Sequence, residues 1–177
     1  MIPGVTIGVG SLPWFFASTG LIILIHELSH GIQCAVEGVP IKNSALLLAV
    51  ITFGGAIEPD EESIENAGMM SKLRIFASGS FANLLTGLFL VPVFVLFGRF
   101  LPEAVLIFLN WVYFISINLA MVNMLPVGPL DGSLMWRAWT ERFKNAPLMR
   151  KITNYSFITL IGGNIILSFA QFGLIPM

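Results

Sequence analysis

The sequence predicts an all-α polytopic membrane protein of about four transmembrane helices, with a short re-entrant or interfacial β-like segment between the first two. Three observations carry this. Of 177 residues, 56% are hydrophobic and 11% charged, and the mean hydropathy of +0.87 lies well outside the balance of a soluble domain. Four apolar runs reach the roughly 20 residues needed to cross a hydrocarbon core of about 30 Å. The basic residues divide unevenly between the two sides that four spans would create. A net charge of −1 offers no broad basic surface, so nucleic-acid binding has no support.

The elements read as one core domain over 1–177. The first run, 12–34, starts with Pro13 where a proline suits a helix entry. The preceding "MIPGVTIGVG" lacks the basic n-region and cleavage site of a secretory signal, and is expected to be an exposed lead-in. "ALLLAVITFGGAI", 45–57, is apolar but too short to span, which favours a re-entrant or interfacial segment. "EPDEES", from Glu58 to Ser63, reads as a water-exposed loop. The second span, 73–97, concentrates Ala77, Ser78, Gly79, Ser80 and Ala82 in its first half, where small residues allow close helix packing. Asn83 in the same half is expected to hydrogen-bond to a neighbouring helix. The link "GRFLP" is too short for an inserted domain and forces antiparallel neighbours. The third span is 104–125 and the fourth 152–175. Between them, 132–145 mixes Trp136, Trp139 and Phe143 with Arg137, Arg142 and Lys144, the pattern of an interfacial amphipathic helix.

Under this topology eight of the nine basic residues fall on one side, namely Lys42, Lys72, Arg74, Arg137, Arg142, Lys144, Arg150 and Lys151, and only Arg99 falls opposite. Basic residues gather on the cytoplasmic side. The expectation is an integral, multi-pass protein, in the cell membrane, with the ends of the first and third spans towards the cytoplasm.

Chemistry enters in the first span, at "LIILIHELSHGIQC", where His26, Glu27 and His30 interrupt an apolar run. Residues i and i+4 on a helix lie about 40° apart, so both imidazoles can reach one metal ion, while Glu27, about 100° round from His26, can hold a water without ligating the metal. This is the H-E-x-x-H signature of zinc hydrolases. A five-residue pattern with three fixed positions also arises by chance. Ionisable groups at membrane depth are costly, however, and a metal site accounts for the chain's two histidines and the glutamate together. Cys34, the single cysteine, lies near the same face, but a small buried cysteine is more often core packing.

Two histidines leave a catalytic zinc one protein ligand short, with water in the fourth position. The candidates are carboxylates, most of them in the exposed acidic loop. Asp131 differs in following "NMLPVGPL" at the end of the third span, at about the depth of the histidines, where Gly132 permits a tight turn that can aim the carboxylate inwards. On its own "PLDG" reads better as an ordinary Asp-Gly turn in water.

"HELSH" on the first long span, "FASGSFAN" in the second and "NMLPVGPLDG", Asn123 to Gly132, after the third together resemble the site-2 protease family of intramembrane zinc metalloproteases. The resemblance implies that His26, His30 and Asp131 ligate one catalytic Zn2+ and that Glu27 is the general base. It also implies that Asn123 contacts the substrate or stabilises the developing oxyanion, for which the plainer alternative is a helix-packing hydrogen bond. "FGGAIEPDEE" resembles the stretch after that family's re-entrant β-segment, where substrate can be held as an added strand. Ser29 departs from the commoner Gly, a small-for-small change expected to leave the metal in place. The abrupt start "MIPGV" is consistent with a minimal enzyme and with a truncated longer one.

The implied function is hydrolysis of peptide bonds within or near transmembrane segments of membrane-protein substrates, in the bilayer, after local unwinding of the substrate helix. Two other classes would use the same residues. A membrane metal-binding or transport protein would not specifically need Glu27, and an inactive protease-like scaffold would not need an intact ligand and base set.

Overall fold

The computed structural model describes residues 9–45 and 56–172. After a 3₁₀ turn at Val9–Ser11 come α1 (Leu12–Glu37), β1 (Ile41–Ala45), β2 (Ala56–Pro59), α2 (Glu61–Asn66), α3 (Met69–Phe97), α4 (Glu103–Asn123), α5 (Asp131–Thr140) and α6 (Ala146–Phe172). Among the described residues three helices are long and apolar enough to cross a membrane: Leu12–Glu37, Met69–Phe100 and Glu103–Asn123. The all-α polytopic class holds. The expected fourth span, 152–175, falls on α6 and runs past the described residues. The lead-in before Val9 and most of the expected re-entrant segment 45–57 also lie outside them. The flanks of that segment are β1 and β2, which pair antiparallel with Ser44 opposite Ile57 and Ala45 opposite Ala56.

Pro13 stands in the first turn of α1, and Gly38 closes the helix in a left-handed conformation (φ 72°) that costs glycine little. Side-chain contacts fix the helix directions. His26 meets Asn83, His30 meets Ser78, and Glu37 meets Arg74, so α1 and α3 run antiparallel. Ser18 donates to the Phe108 carbonyl at 3.2 Å, while His26 meets Asn123, so α1 and α4 run parallel. Ile22, Leu90 and Val112 form the core where these helices meet. Cys34 is fully buried with Val39 and Ile75 in a second cluster, the packing role expected of it. The main contact of α6 is with α5.

The amphipathic segment is shorter than the expected 132–145. α5 ends at Thr140, whose hydroxyl turns back onto the Trp136 carbonyl at 2.7 Å. Pro147 accounts for the break, since proline suits the first turn of a helix and not its interior, and α6 accordingly begins at Ala146. The interfacial chemistry survives in an aromatic row: Trp136 stacks on Trp139 at 5.1 Å, Trp139 touches Phe143, and Arg142 lies over both Trp139 and Phe143.

Candidate metal centre

α1 supplies two imidazoles one turn apart, and α3 holds each by its Nδ1. The Nδ1 of His30 is 2.8 Å from the Ile75 carbonyl and 3.2 Å from the Ser78 hydroxyl, and that of His26 is 3.0 Å from the Asn83 side-chain amide. A carbonyl only accepts, so His30 donates from Nδ1 and its Nε2 carries the lone pair. With both rings pinned at the back, their Nε2 atoms converge to 3.1 Å of one another.

α5 brings the third group. Asp131, the first residue of α5, places Oδ2 3.1 Å from His26 Nε2 and 3.4 Å from His30 Nε2, and the Ser80 hydroxyl reaches the same oxygen at 3.5 Å. Burial raises the Asp131 carboxyl, but the His26 and His30 imidazoles beside it outweigh this and hold it at about 2, so it stands ionised at neutral pH. The reason for Gly132 differs from the expected turn. It lies inside α5, where a β-carbon would collide with the Met124 carbonyl. Gly132 therefore lets the start of α5 pack directly onto the end of α4, which carries Asp131 to the histidines.

The donor set fits a cation. Atoms bound tetrahedrally to zinc at about 2.0–2.1 Å stand about 3.3–3.4 Å from one another, and these three are separated by 3.1, 3.1 and 3.4 Å. Space is kept for an ion by Gly79, where a β-carbon would stand 2.5 Å from His30 Nε2 and 2.7 Å from His26 Nε2. Among the described residues, His26, His30 and Asp131 form the one group of three able to hold a metal. Glu27 is half-buried beside His26. Asn123, the last residue of α4, has its side-chain nitrogen 3.1 Å from His26 Nε2. The acidic loop does other work: Asp60 caps α2 by accepting from the Ser63 backbone and hydroxyl, and pairs with Lys42 at 2.7 Å. Ser29 bonds back to the Ile25 carbonyl along its own helix.

A family model described as "Peptidase family M50" matches residues 14–101 and 98–167. The chain belongs to peptidase family M50. Among curated relatives, this M50 chain is 27% identical to "Membrane-bound transcription factor site-2 protease homolog" of Arabidopsis thaliana over 97 residues, 51% of this chain and 19% of that protein. It is also 27% identical to the zinc metalloprotease Rip3 of Mycobacterium tuberculosis over 153 residues, 80% of this chain and 36% of the relative. The chain thus spans between about a fifth and about a third of the length of these relatives. The family and its relatives' names support a membrane zinc metalloprotease.

Asn83 bonds to a neighbouring helix as expected, but the sequence alone did not mark Ile75, Ser78, Gly79 and Ser80 as partners of the site. Ser78, Gly79 and Ser80 read as a packing run, yet they line the site. The available signal was spacing. Lys72, Ile75, Gly79, Asn83, Gly87 and Leu90 are all buried and recur every three or four residues, marking one helix face.

Proposed function

We propose that this chain is the catalytic core of an intramembrane zinc metalloprotease that hydrolyses peptide bonds within or near transmembrane segments of membrane-protein substrates, in the manner of regulated intramembrane proteolysis. In this reading His26, His30 and Asp131 hold one zinc ion, Glu27 is the general base and Asn123 contacts the substrate. The observation that carries it is the convergence of three donor atoms, at the spacing a tetrahedral zinc requires, where the membrane-length α1 meets the start of the short α5.

Zinc bound there supplies Lewis acidity that polarises a carbonyl and lowers the pKa of a water to about 7. Glu27 takes the proton from the attacking water and delivers it to the leaving amine, a role worth about 10²–10⁴ in rate. Asn123, at the rim of the site, donates to the carbonyl oxygen as negative charge develops on it. Asp131 and the imidazoles stay in place because α3 and α5 hold them from behind. The β1–β2 pair offers an edge to which an unwound substrate segment can add as a strand, and helix-breaking residues in the substrate favour that unwinding. The uneven basic residues orient the site towards the cytoplasmic side.

The test is Glu27→Gln in the purified chain, assayed on a membrane-reconstituted peptide. Stoichiometric zinc with cleavage reduced at least about 100-fold is expected, and His26→Ala should lose both. Cleavage by Glu27→Gln at the wild-type rate would contradict the hydrolytic mechanism.

A further inference from the structure

The two imidazoles are held from behind in different ways. The Nδ1 of His30 faces a backbone carbonyl, Ile75 O at 2.8 Å, which can only accept. The Nδ1 of His26 faces the Asn83 side chain, an amide with one face that donates and one that accepts. Asn83 is fully buried, its nitrogen lies 3.0 Å from His26 Nδ1, and its Oδ1 is buried with no hydrogen-bond partner among the described residues. In that orientation His26 Nδ1 must be the acceptor. A neutral ring would then carry its proton on Nε2, the atom 3.1 Å from both His30 Nε2 and Asp131 Oδ2. A protonated Nε2 cannot ligate a metal. Turning the amide about χ2 exchanges oxygen and nitrogen in nearly the same space. The orphaned carbonyl then receives the Nδ1 proton of His26, and Nε2 is freed.

Resting on the metal site proposed above, we infer that Asn83 is a positioning residue whose side-chain carbonyl accepts the Nδ1–H of His26 and so fixes the ring form that presents Nε2 to zinc. It does for His26 what the Ile75 backbone does for His30. Both partners come from one face of α3, two turns apart, so one helix sets the ligand chemistry of the other. Asn83 acts through His26 and has no contact with substrate in this account.

Size-matched variants separate this role from space filling. Asn83→Asp keeps an acceptor in the same volume, and Asn83→Leu keeps the bulk without one. Zinc affinity of the full chain in detergent, measured by competition with a chromogenic chelator, should stay within a few-fold of wild type for Asn83→Asp and fall about 10–100-fold for Asn83→Leu, the usual loss when a metal-bound histidine loses its partner. Because the chain has only two histidines, ¹⁵N-histidine spectra of the zinc-loaded protein give a second readout. The His26 Nδ1–H signal should be protected from solvent exchange in wild type and Asn83→Asp, and broadened in Asn83→Leu. Wild-type affinity in Asn83→Leu would overturn the inference while leaving the metal site standing. Loss in Asn83→Asp equal to that in Asn83→Leu would do the same, assigning Asn83 a donor role. If Asn83→Leu does not fold, Asn83→Asp decides alone: retained affinity and a protected proton support the inference, and their loss overturns it. A wild-type chain that binds no zinc would overturn the metal site itself, and the inference with it.

Discussion

The two halves of α3 are built for different surroundings. In the first, Lys72, Ile75, Gly79, Ser80 and Asn83 are buried, and polar groups reach across to other elements: Lys72 to Glu141 at 2.9 Å, Ile75 and Ser78 to His30, Ser80 to Asp131, and Asn83 to His26. In the second, only Gly87 and Leu90 are buried, and Leu85, Leu88, Phe89, Val95 and Leu96 are exposed, as suits lipid. Contacts there are apolar, Leu90 with Ile22 and Val112, and Gly87 close against Ile117. Apolar side chains gain little by leaving lipid for a helix interface, so helices in a bilayer associate through close packing and interhelical hydrogen bonds. The first half uses both to build a site. The second uses packing alone, to hold the bundle.

Matched glycine substitutions should separate these roles. Gly79→Ala has the largest expected effect, because its methyl group would meet both Nε2 atoms and push the imidazoles off the metal position. Zinc content by mass spectrometry should fall to background, and cleavage with it. Gly87→Ala crowds the Ile117 side chain, which can shift, and meets Ser116 at ordinary contact distance, so it should retain stoichiometric zinc and lower stability by about 1–3 kcal/mol, the usual range for overpacking, read as a lower melting temperature in detergent. Leu88→Ala, on the exposed side, should change neither. Equal zinc loss in both glycine variants would erase the contrast between the halves.

The smallest effect belongs to the acidic loop. Hydrogen bonds from Lys42 and Ser63 hold the Asp60 carboxyl at about 2, below its usual range. A lowered folded-state pKa gives a contribution that is complete above the unfolded value, about 3.9, and is lost as pH falls through the folded one. Asp60→Ala should therefore speed hydrogen exchange in the first turn of α2 at neutral pH, with the difference from wild type shrinking as pH falls from about 4 through 2. A difference undiminished at pH 2 would assign the cap to another group.

Much of this was legible in the sequence because the physics is local. Apolar runs of membrane length, a proline at the entry of α1 and histidines at i and i+4 declare themselves without a fold. Asp131 was legible only through depth and family resemblance, since α4, the Leu125–Leu130 turn and Gly132 must all act before it can reach His26. The roles of Ser78, Ser80 and Gly79 were not legible. Small residues in a membrane helix signify close approach, and nothing in their identity says what approaches. The early end of α5 was readable in principle from Pro147, but the aromatic and basic pattern runs through the break and hides it.

His26, His30 and Asp131 are proposed to hold the metal, and zinc stoichiometry across carboxylate variants of the purified chain tests this directly. Asp131→Ala should lose zinc and proteolysis together, while Glu58→Ala and Asp60→Ala should each keep one zinc per chain. Full zinc occupancy in Asp131→Ala, with loss in either loop variant, would move the metal to the loop and contradict the account.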